Sequence, residues 1–475
     1  MTHVSIFVLS IILSRYFTKE DYGTYLHVQL IVNVATWSFL LGIPHGIYYF
    51  LPKVKAQRRY VLSVLASIIA IAVLVSSTIF LNLESIESFL SNPRLVDMAF
   101  VIAFMVLLSI TLTIFEPLML TAGRVKEYSI VELLFNIMFF FSVATPVFLD
   151  KEMTEIIWWL AGQYFIQSIV VLYFALSIAF KYRKENREGE DTSLREQISY
   201  TMPIGISSVV LEMSRYVDKM VVSNQSSAAE YALYVRGAME IPVIGIIANT
   251  LDNLLMPQFV KAYKEHNLAG IITSWHRTIR LMAMFIYPSC LFLILSAGLL
   301  IPAIFSDKYV GSVIIFQIYT VSLLSRISTF DVIMRAIGQT KYILWISLAS
   351  ILFNIFFTYL FMQYWGLVGA PIATVMTLVL MRLAYLISIT RFFHIGLKEV
   401  FPWRSILSSL LLSIISSIPA LLIMSIEFND WLRLGAMALA FSATYLVLLK
   451  HTDILTIDDK ALVKGILPKV LHWAI

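Results

Sequence analysis

Long apolar runs divided by short polar breaks are the dominant pattern of this chain. A helix needs about 20 apolar residues to cross the hydrocarbon core of a bilayer. That ruler predicts about fourteen spans, near residues 2–15, 25–50, 60–81, 98–120, 128–149, 156–180, 199–222, 231–256, 281–304, 313–336, 342–363, 367–390, 405–426 and 432–450. Connections such as 150–155 and 338–341 are very short, so neighbouring spans should form antiparallel hairpins. The predicted fold class is an all-α polytopic membrane protein: two pseudo-symmetric six-helix lobes plus two C-terminal helices. The expected boundaries are 1–180 for the first lobe, 181–197 for a hydrophilic linker, 198–392 for the second lobe, 393–450 for the last two spans and 451–475 for a tail. The apolar start lacks a basic flank and a small-residue cleavage site, so it reads as a membrane helix rather than a cleavable signal. It is short, as if the chain began partway into that helix.

A repeat accompanies the pattern. Tyr22-Gly23-Thr24-Tyr25 is echoed by Tyr231-Ala232-Leu233-Tyr234, and Leu51-Pro52 by Met256-Pro257. Gly123-Arg124-Val125-Lys126 matches Gly338-Gln339-Thr340-Lys341, and Leu134-Phe135-Asn136-Ile137 reappears as Leu352-Phe353-Asn354-Ile355. Each offset is close to six spans. Six is even, so the halves should run in the same direction, as in transporters built from parallel repeats.

Composition narrows the class. Of 475 residues, 59% are hydrophobic and 14% charged, too apolar for a soluble domain of this length. The net charge of +5 reflects loops rather than a nucleic-acid partner. One side of the predicted layout carries roughly 23 basic residues and the other 6, and the rich side should be cytoplasmic, with both termini there. Cys290 is the only cysteine, which leaves no disulfide within the chain and no cysteine metal site. The chain has no phosphate-loop motif, and no histidine stands at metal-ligand spacing from another histidine or the cysteine. No enzyme activity, metal or cofactor is predicted. His45, between Pro44 and Gly46, is the one histidine expected deep in the bilayer.

Charge inside the spans is the candidate chemistry. Arg215, Lys219, Arg236, Arg326, Arg335 and Arg382 all fall after the linker, with the carboxylates Glu212, Asp218, Glu240 and Asp331. Helical rise puts Arg215, Lys219 and Arg236 in the outer half, Arg326 near the middle, and Arg335 and Arg382 toward the cytoplasm. On a continuous helix Ser208, Glu212, Arg215 and Lys219 would share one stripe. Six unrelieved cations would cost on the order of 15–20 kcal/mol to insert. Two readings of them stay open. In one, neighbours such as Glu212 and Arg215, or Arg236 and Glu240, cancel each other and Arg335 reaches the surface. In the other, Arg215, Lys219, Arg236, Arg326 and Arg382 line a cavity for an anion, where a planar guanidinium suits phosphate. Glu212, Asp218, Glu240 and Asp331 are then candidates to bind a coupling proton or cation.

The stretch Leu13 to Tyr25 (LSRYFTKEDYGTY), Leu41-Gly42-Ile43, Pro203, Asp218, Tyr234 to Ala238, Met256-Pro257, Asp307-Lys308-Tyr309, Gly338 to Lys341 and Trp365 to Ala370 follow one another in a familiar order. In that order the chain resembles polysaccharide exporters of the Wzx type, of the superfamily that includes the MATE exporters and the lipid II flippases. The short first helix and Pro44-His45-Gly46 depart from the family pattern. The resemblance implies a bacterial cytoplasmic-membrane flippase that moves an undecaprenyl-pyrophosphate-linked oligosaccharide outward by alternating access, for O-antigen, capsule or exopolysaccharide. Its implied partners are that lipid-linked oligosaccharide, membrane lipids, polysaccharide polymerase and chain-length proteins, and a proton or sodium gradient. A MATE-like cation-coupled drug exporter is the alternative; it should have an acidic, aromatic-lined cavity. A membrane scaffold or membrane enzyme would need neither the repeat nor the buried cations.

Overall fold

The computed structural model describes residues 2–40, 42–182, 194–239, 241–328 and 330–452. Most of the expected linker and tail lies outside these residues. Among the described residues all regular structure is helical. The chain forms two compact units, Met1–Ala232 and Leu233–Ile475.

In the first unit α1 (Thr2–Tyr16) leads to α2 (Lys19–Ser38), which starts where the Thr18 hydroxyl accepts the Asp21 amide N–H. A 43° bend separates α2 from α3 (Ile43–Phe50). Gly42 makes the bend with φ 77°, and a Cβ there would come within 2.6 Å of the Thr201 carbonyl oxygen. Only glycine meets both demands. Next come α4 (Gln57–Leu81), the short α5 (Leu83–Leu90), a 3-10 turn over Pro93–Met98, α6 (Ala99–Leu112) and α7 (Phe115–Thr121). The long hairpin of α8 (Val125–Phe148) and α9 (Met153–Lys181) follows, with a capping box between Glu152 and Glu155 opening α9. Then come α10 (Leu194–Met213) and α11 (Val217–Gln225). α6 packs on α2, α4 and α9, while α10 lies against α2 and α3, and α11 against α2 and α5.

The helix α12 (Ala228–Gly237) carries the chain into the second unit, which continues with α13 (Pro242–Lys264) and the 38-residue α14 (Leu268–Phe305). After a 3-10 turn at Asp307–Tyr309 come α15 (Ser312–Val321), a 3-10 turn over Ser322–Ile327 and α16 (Phe330–Ala336). The hairpin of α17 (Thr340–Trp365) and α18 (Gly369–Phe393) is followed by α19 (Leu397–Val400), α20 (Trp403–Met424) and α21 (Asp430–Lys450). α14 is the hub, packing against α13, α15, α20 and α21. Ser409, Ser413 and Ser416 on α20 are fully buried, and Ser413 and Ser416 return their hydroxyls to the i−4 carbonyls. Small side chains of this kind let helices approach closely in lipid, where no hydrophobic force drives them together. The apolar residues Trp345, Leu352, Phe356 and Tyr359 on α17 are exposed, as suits a face meeting hydrocarbon.

The described residues of the predicted spans are mainly helical, with breaks inside 25–50, 199–222, 231–256 and 313–336. By length and apolarity, nine runs among the described residues could cross a membrane, or ten with the bent α2–α3 pair, against the fourteen expected. The run Lys341–Phe393 contains both α17 and α18. The short α1 and the more polar α10–α11 and α12–α13 pairs fall outside the count.

The repeat has a structural counterpart in local turn chemistry. Gly123 and Gly338 both adopt the left-handed conformation, with φ of 73° and 75°. At each, the glycine N–H bonds three residues back and the following N–H five residues back, ending one short helix and starting a long one. Thr18 and Asp21 cap α2 as Ser227 and Glu230 cap α12. The packing boundary between units falls after α11, beyond the expected linker at 181–197. Repeat and packing answer to different causes: the one to local turn residues, the other to which helices touch.

Candidate functional site

Several of the charges predicted inside spans sit beside breaks in helices. In the first unit the chain tightens into a turn over residues 214–216, between α10 and α11, where the Arg215 and Tyr216 N–H groups bond three residues back. The expected stripe of Ser208, Glu212, Arg215 and Lys219 is therefore interrupted. Arg215 is largely exposed, with its Nη1 3.6 Å from Glu212 Oε1. The Lys219 Nζ donates to the Arg215 carbonyl at 3.0 Å and lies 5.6 Å from the Tyr216 ring centroid. Asp218, in the first turn of α11, is 5% exposed and so the most secluded acid of the group.

In the second unit the break lies between the 3-10 turn at Ser322–Ile327 and α16. Ser328 is extended there, with φ −124° and ψ 134°. A backbone that leaves the helix inside a membrane must find other partners for its polar groups. The Ser328 carbonyl finds one, accepting from Arg382 Nη1 of α18 at 3.3 Å, while its side-chain hydroxyl accepts from the fully buried Trp275 Nε1 of α14 at 2.9 Å. Arg326 is half-buried on the turn just before. Asp331 is held by Arg335, one turn along α16, at 2.6 Å. These bonds set Ser328 level with Trp275, near the Leu268 end of α14, which moves Arg326 from the expected mid-depth toward that end. Arg236 is elsewhere, its guanidinium 5.6 Å from the Phe305 ring centroid at the other end of α14. Trp275 and Phe305 are separated by about 45 Å of helical rise. Of the five predicted cations, then, Arg326 and Arg382 lie on elements that pack together at the Ser328 break, Arg236 stands by the far end of α14, and Arg215 and Lys219 belong to the first unit. Glu240 lies outside the described residues.

Sequence reasoning missed several polar groups of the first unit. His45 is exposed; among the described histidines the fully buried one is His27, in α2 and bonded to Asn92 and Ser223. Glu132, within α8, accepts from Asn136 Nδ2 at 3.3 Å, and Glu116 is exposed in the first turn of α7. The two acids were visible as charges within predicted spans. His27 sat too close to a predicted helix end to stand out.

A family model described as polysaccharide biosynthesis protein matches residues 12–314, more than half of the chain. The chain belongs to that family. This polysaccharide biosynthesis protein has the fold of MOP-superfamily transporters. It superposes on the lipid II flippase MurJ in an inward closed conformation with a TM-score of 0.73 at 15% identity, over 94% of this chain and 96% of that one. An inward-facing multidrug-resistance MATE transporter gives 0.65 at 13% identity, over 82% and 94%. A MOP-superfamily transporter from Pyrococcus furiosus gives 0.52 at 13%, over 83% and 93%. No curated protein matches the sequence. Family and fold bear out the resemblance carried by the motifs from Leu13 to Ala370: the polysaccharide biosynthesis protein is a multi-pass membrane protein of the transporter fold.

Proposed function

We propose that this protein moves a lipid-linked oligosaccharide across a membrane by alternating access. The observation that carries the reading is the placement of arginine along α14, Arg326 and Arg382 at the Trp275 end and Arg236 at the Phe305 end, in a protein of a polysaccharide biosynthesis family. Cations spread along one helix can pass an anionic headgroup onward, whereas cations gathered at one point would hold it. The substrate is an undecaprenyl-pyrophosphate-linked repeat unit for O-antigen, capsule or exopolysaccharide in a bacterial cytoplasmic membrane. Arg215 and Lys219, in the first unit, are the other two cations proposed to bind the substrate. Glu212, Asp218, Glu240 and Asp331 are the acids through which a proton or sodium gradient drives the cycle. The arrangement suits a pyrophosphate better than the cationic drugs of a MATE-like exporter.

The test replaces Arg326 in cells whose glycan export depends on this protein. Arg326→Gln should cut export at least tenfold, and Arg326→Lys should cut it less but measurably, since lysine keeps the charge and loses the planar fork. Both variants should reach the membrane in normal amounts. Wild-type export by Arg326→Gln at normal protein level would refute the cationic path.

A further inference from the structure

His27 is an imidazole with both ring nitrogens committed in a fully buried place, and nothing in the transport reading uses it. Its Nδ1 lies 3.0 Å from Asn92 Nδ2 and its Nε2 2.7 Å from Ser223 Oγ of α11. Tyr231 of α12 stacks on the ring at 4.4 Å. His27, Ser223 and Tyr231 are each at most 2% exposed, and Asn92 3%.

The direction of the Asn92 amide decides the tautomer. Its Oδ1 accepts the backbone N–H of Arg94 at 3.3 Å, and its Nδ2 also donates to Thr24 Oγ1 at 3.1 Å. That hydroxyl in turn donates to the Glu20 carbonyl at 2.9 Å. The amide therefore presents its NH2 to the ring, Nδ1 must accept, and the single proton of neutral His27 sits on Nε2 and is donated to Ser223. A second proton would set an Nδ1–H against the NH2 of Asn92, donor facing donor in a dry place. The node forms only around the neutral ring.

Position gives this chemistry a use. By the sequence repeat α11 belongs with the second half of the chain, yet it is fastened to α2 and α5 in the first unit. Besides this node, Asn224 Nδ2 donates to the Phe89 carbonyl at 2.9 Å. The charged groups on the surrounding elements are Lys19, Glu20 and Asp21 of α2, Arg94 and Asp97 of the Pro93–Met98 turn, Glu84 and Glu87 of α5, Asp218 and Lys219 of α11, and Glu230 and Arg236 of α12. Arg94 is paired with Asp21, and Glu230 caps its own helix at Ser227. The ring's own partners, Asn92, Ser223 and Tyr231, carry no charge.

We infer that His27 is a proton-binding site operating a latch: the neutral imidazole fastens α11 to α2, and uptake of a proton releases it. The sign follows from linkage. In the released form the ring is hydrated and takes a proton near the ordinary imidazole value of about 6.5. The fastened form excludes that proton, so falling pH favours release, by up to tenfold per pH unit below that value. The inference rests on the transport reading only for why a latch should open, and its test reads α11 directly. The two can therefore fail separately.

The experiment is hydrogen exchange of the α11 amides (Val217–Gln225) in the purified full-length protein between pH 8 and pH 5, corrected for intrinsic exchange. Protection of α11 should be level down to about pH 6.5 and then fall steeply, while α20 stays protected throughout. His27→Gln, which cannot titrate, should give α11 a flat profile at whatever level its protection settles. Ser223→Ala should lower α11 protection several-fold already at pH 8. A flat profile in the unmodified protein, a fall that persists in His27→Gln, unchanged protection in Ser223→Ala, or an equal fall in α20 would each overturn the latch.

Discussion

At the scale of single residues, cost in a bilayer makes a charge conspicuous, but its role depends on what the fold brings to it. Arg382 and Arg326 stand out equally in the sequence, yet Arg382 is partly committed to the Ser328 carbonyl exposed by a helix break. Asp331 is taken by Arg335. Asp218 is, among the described coupling candidates, the one best shielded from water, and its place in the first turn of α11 puts it where a helix favours negative charge. Asp218→Asn is expected to reach the membrane normally and to lose at least tenfold in gradient-driven export. Transport measured in vesicles with and without an imposed proton or sodium gradient would decide it. Unchanged rates and unchanged gradient dependence would remove Asp218 from the mechanism. The charged residues themselves were legible in the sequence. So was the pairing of Glu212 with Arg215, three residues apart. The partner of Arg382 was not, because it depends on where a helix breaks, at 328, and no motif marked that break.

At the scale of elements, local turn chemistry carries much of the architecture. Gly123 and Gly338 each close a short helix in the left-handed region, and neither has an atom within 4 Å of where a Cβ would stand. Alanine there would meet only the backbone penalty, about 1–2 kcal/mol. Gly162, inside α9, also has open space around it but ordinary helical geometry, and alanine should stabilise it by roughly 0.5–1 kcal/mol. Gly338→Ala should therefore lower the thermal midpoint of the purified protein, and Gly162→Ala should leave it level or raise it. The same sign for both would show that backbone conformation at Gly338 does not matter to stability. This part of the fold was readable because a glycine followed by a polar residue needs only its neighbours to form its turn. The bend at Gly42 was less so, since the approach of Thr201 comes from residues far along the chain.

At the scale of the whole molecule, the asymmetry of basic loops sets the expected orientation. Reporter tags near Gly189 and after Ile475 should both register the cytoplasm, and a tag between Asp150 and Glu155 the outside. A tag at Gly189 reading outside would overturn the orientation and, with it, the order in which a headgroup meets Arg326, Arg382 and Arg236.

Apolar length, loop charge and turn residues act through the local chain, so the sequence alone determined that this is a helical membrane protein with a repeated half. The same is true of the places where cations would be costly. Tertiary structure decided what depends on encounters between distant residues: the commitment of Arg382 to a freed carbonyl, the spread of arginines along α14, and the packing of α11 with the first unit. It also decided the importance of His27, which looks ordinary in sequence because Asn92 and Ser223 lie 65 and 196 residues away along the chain. A hydrogen bond between such residues exists only once the helices that carry them have packed.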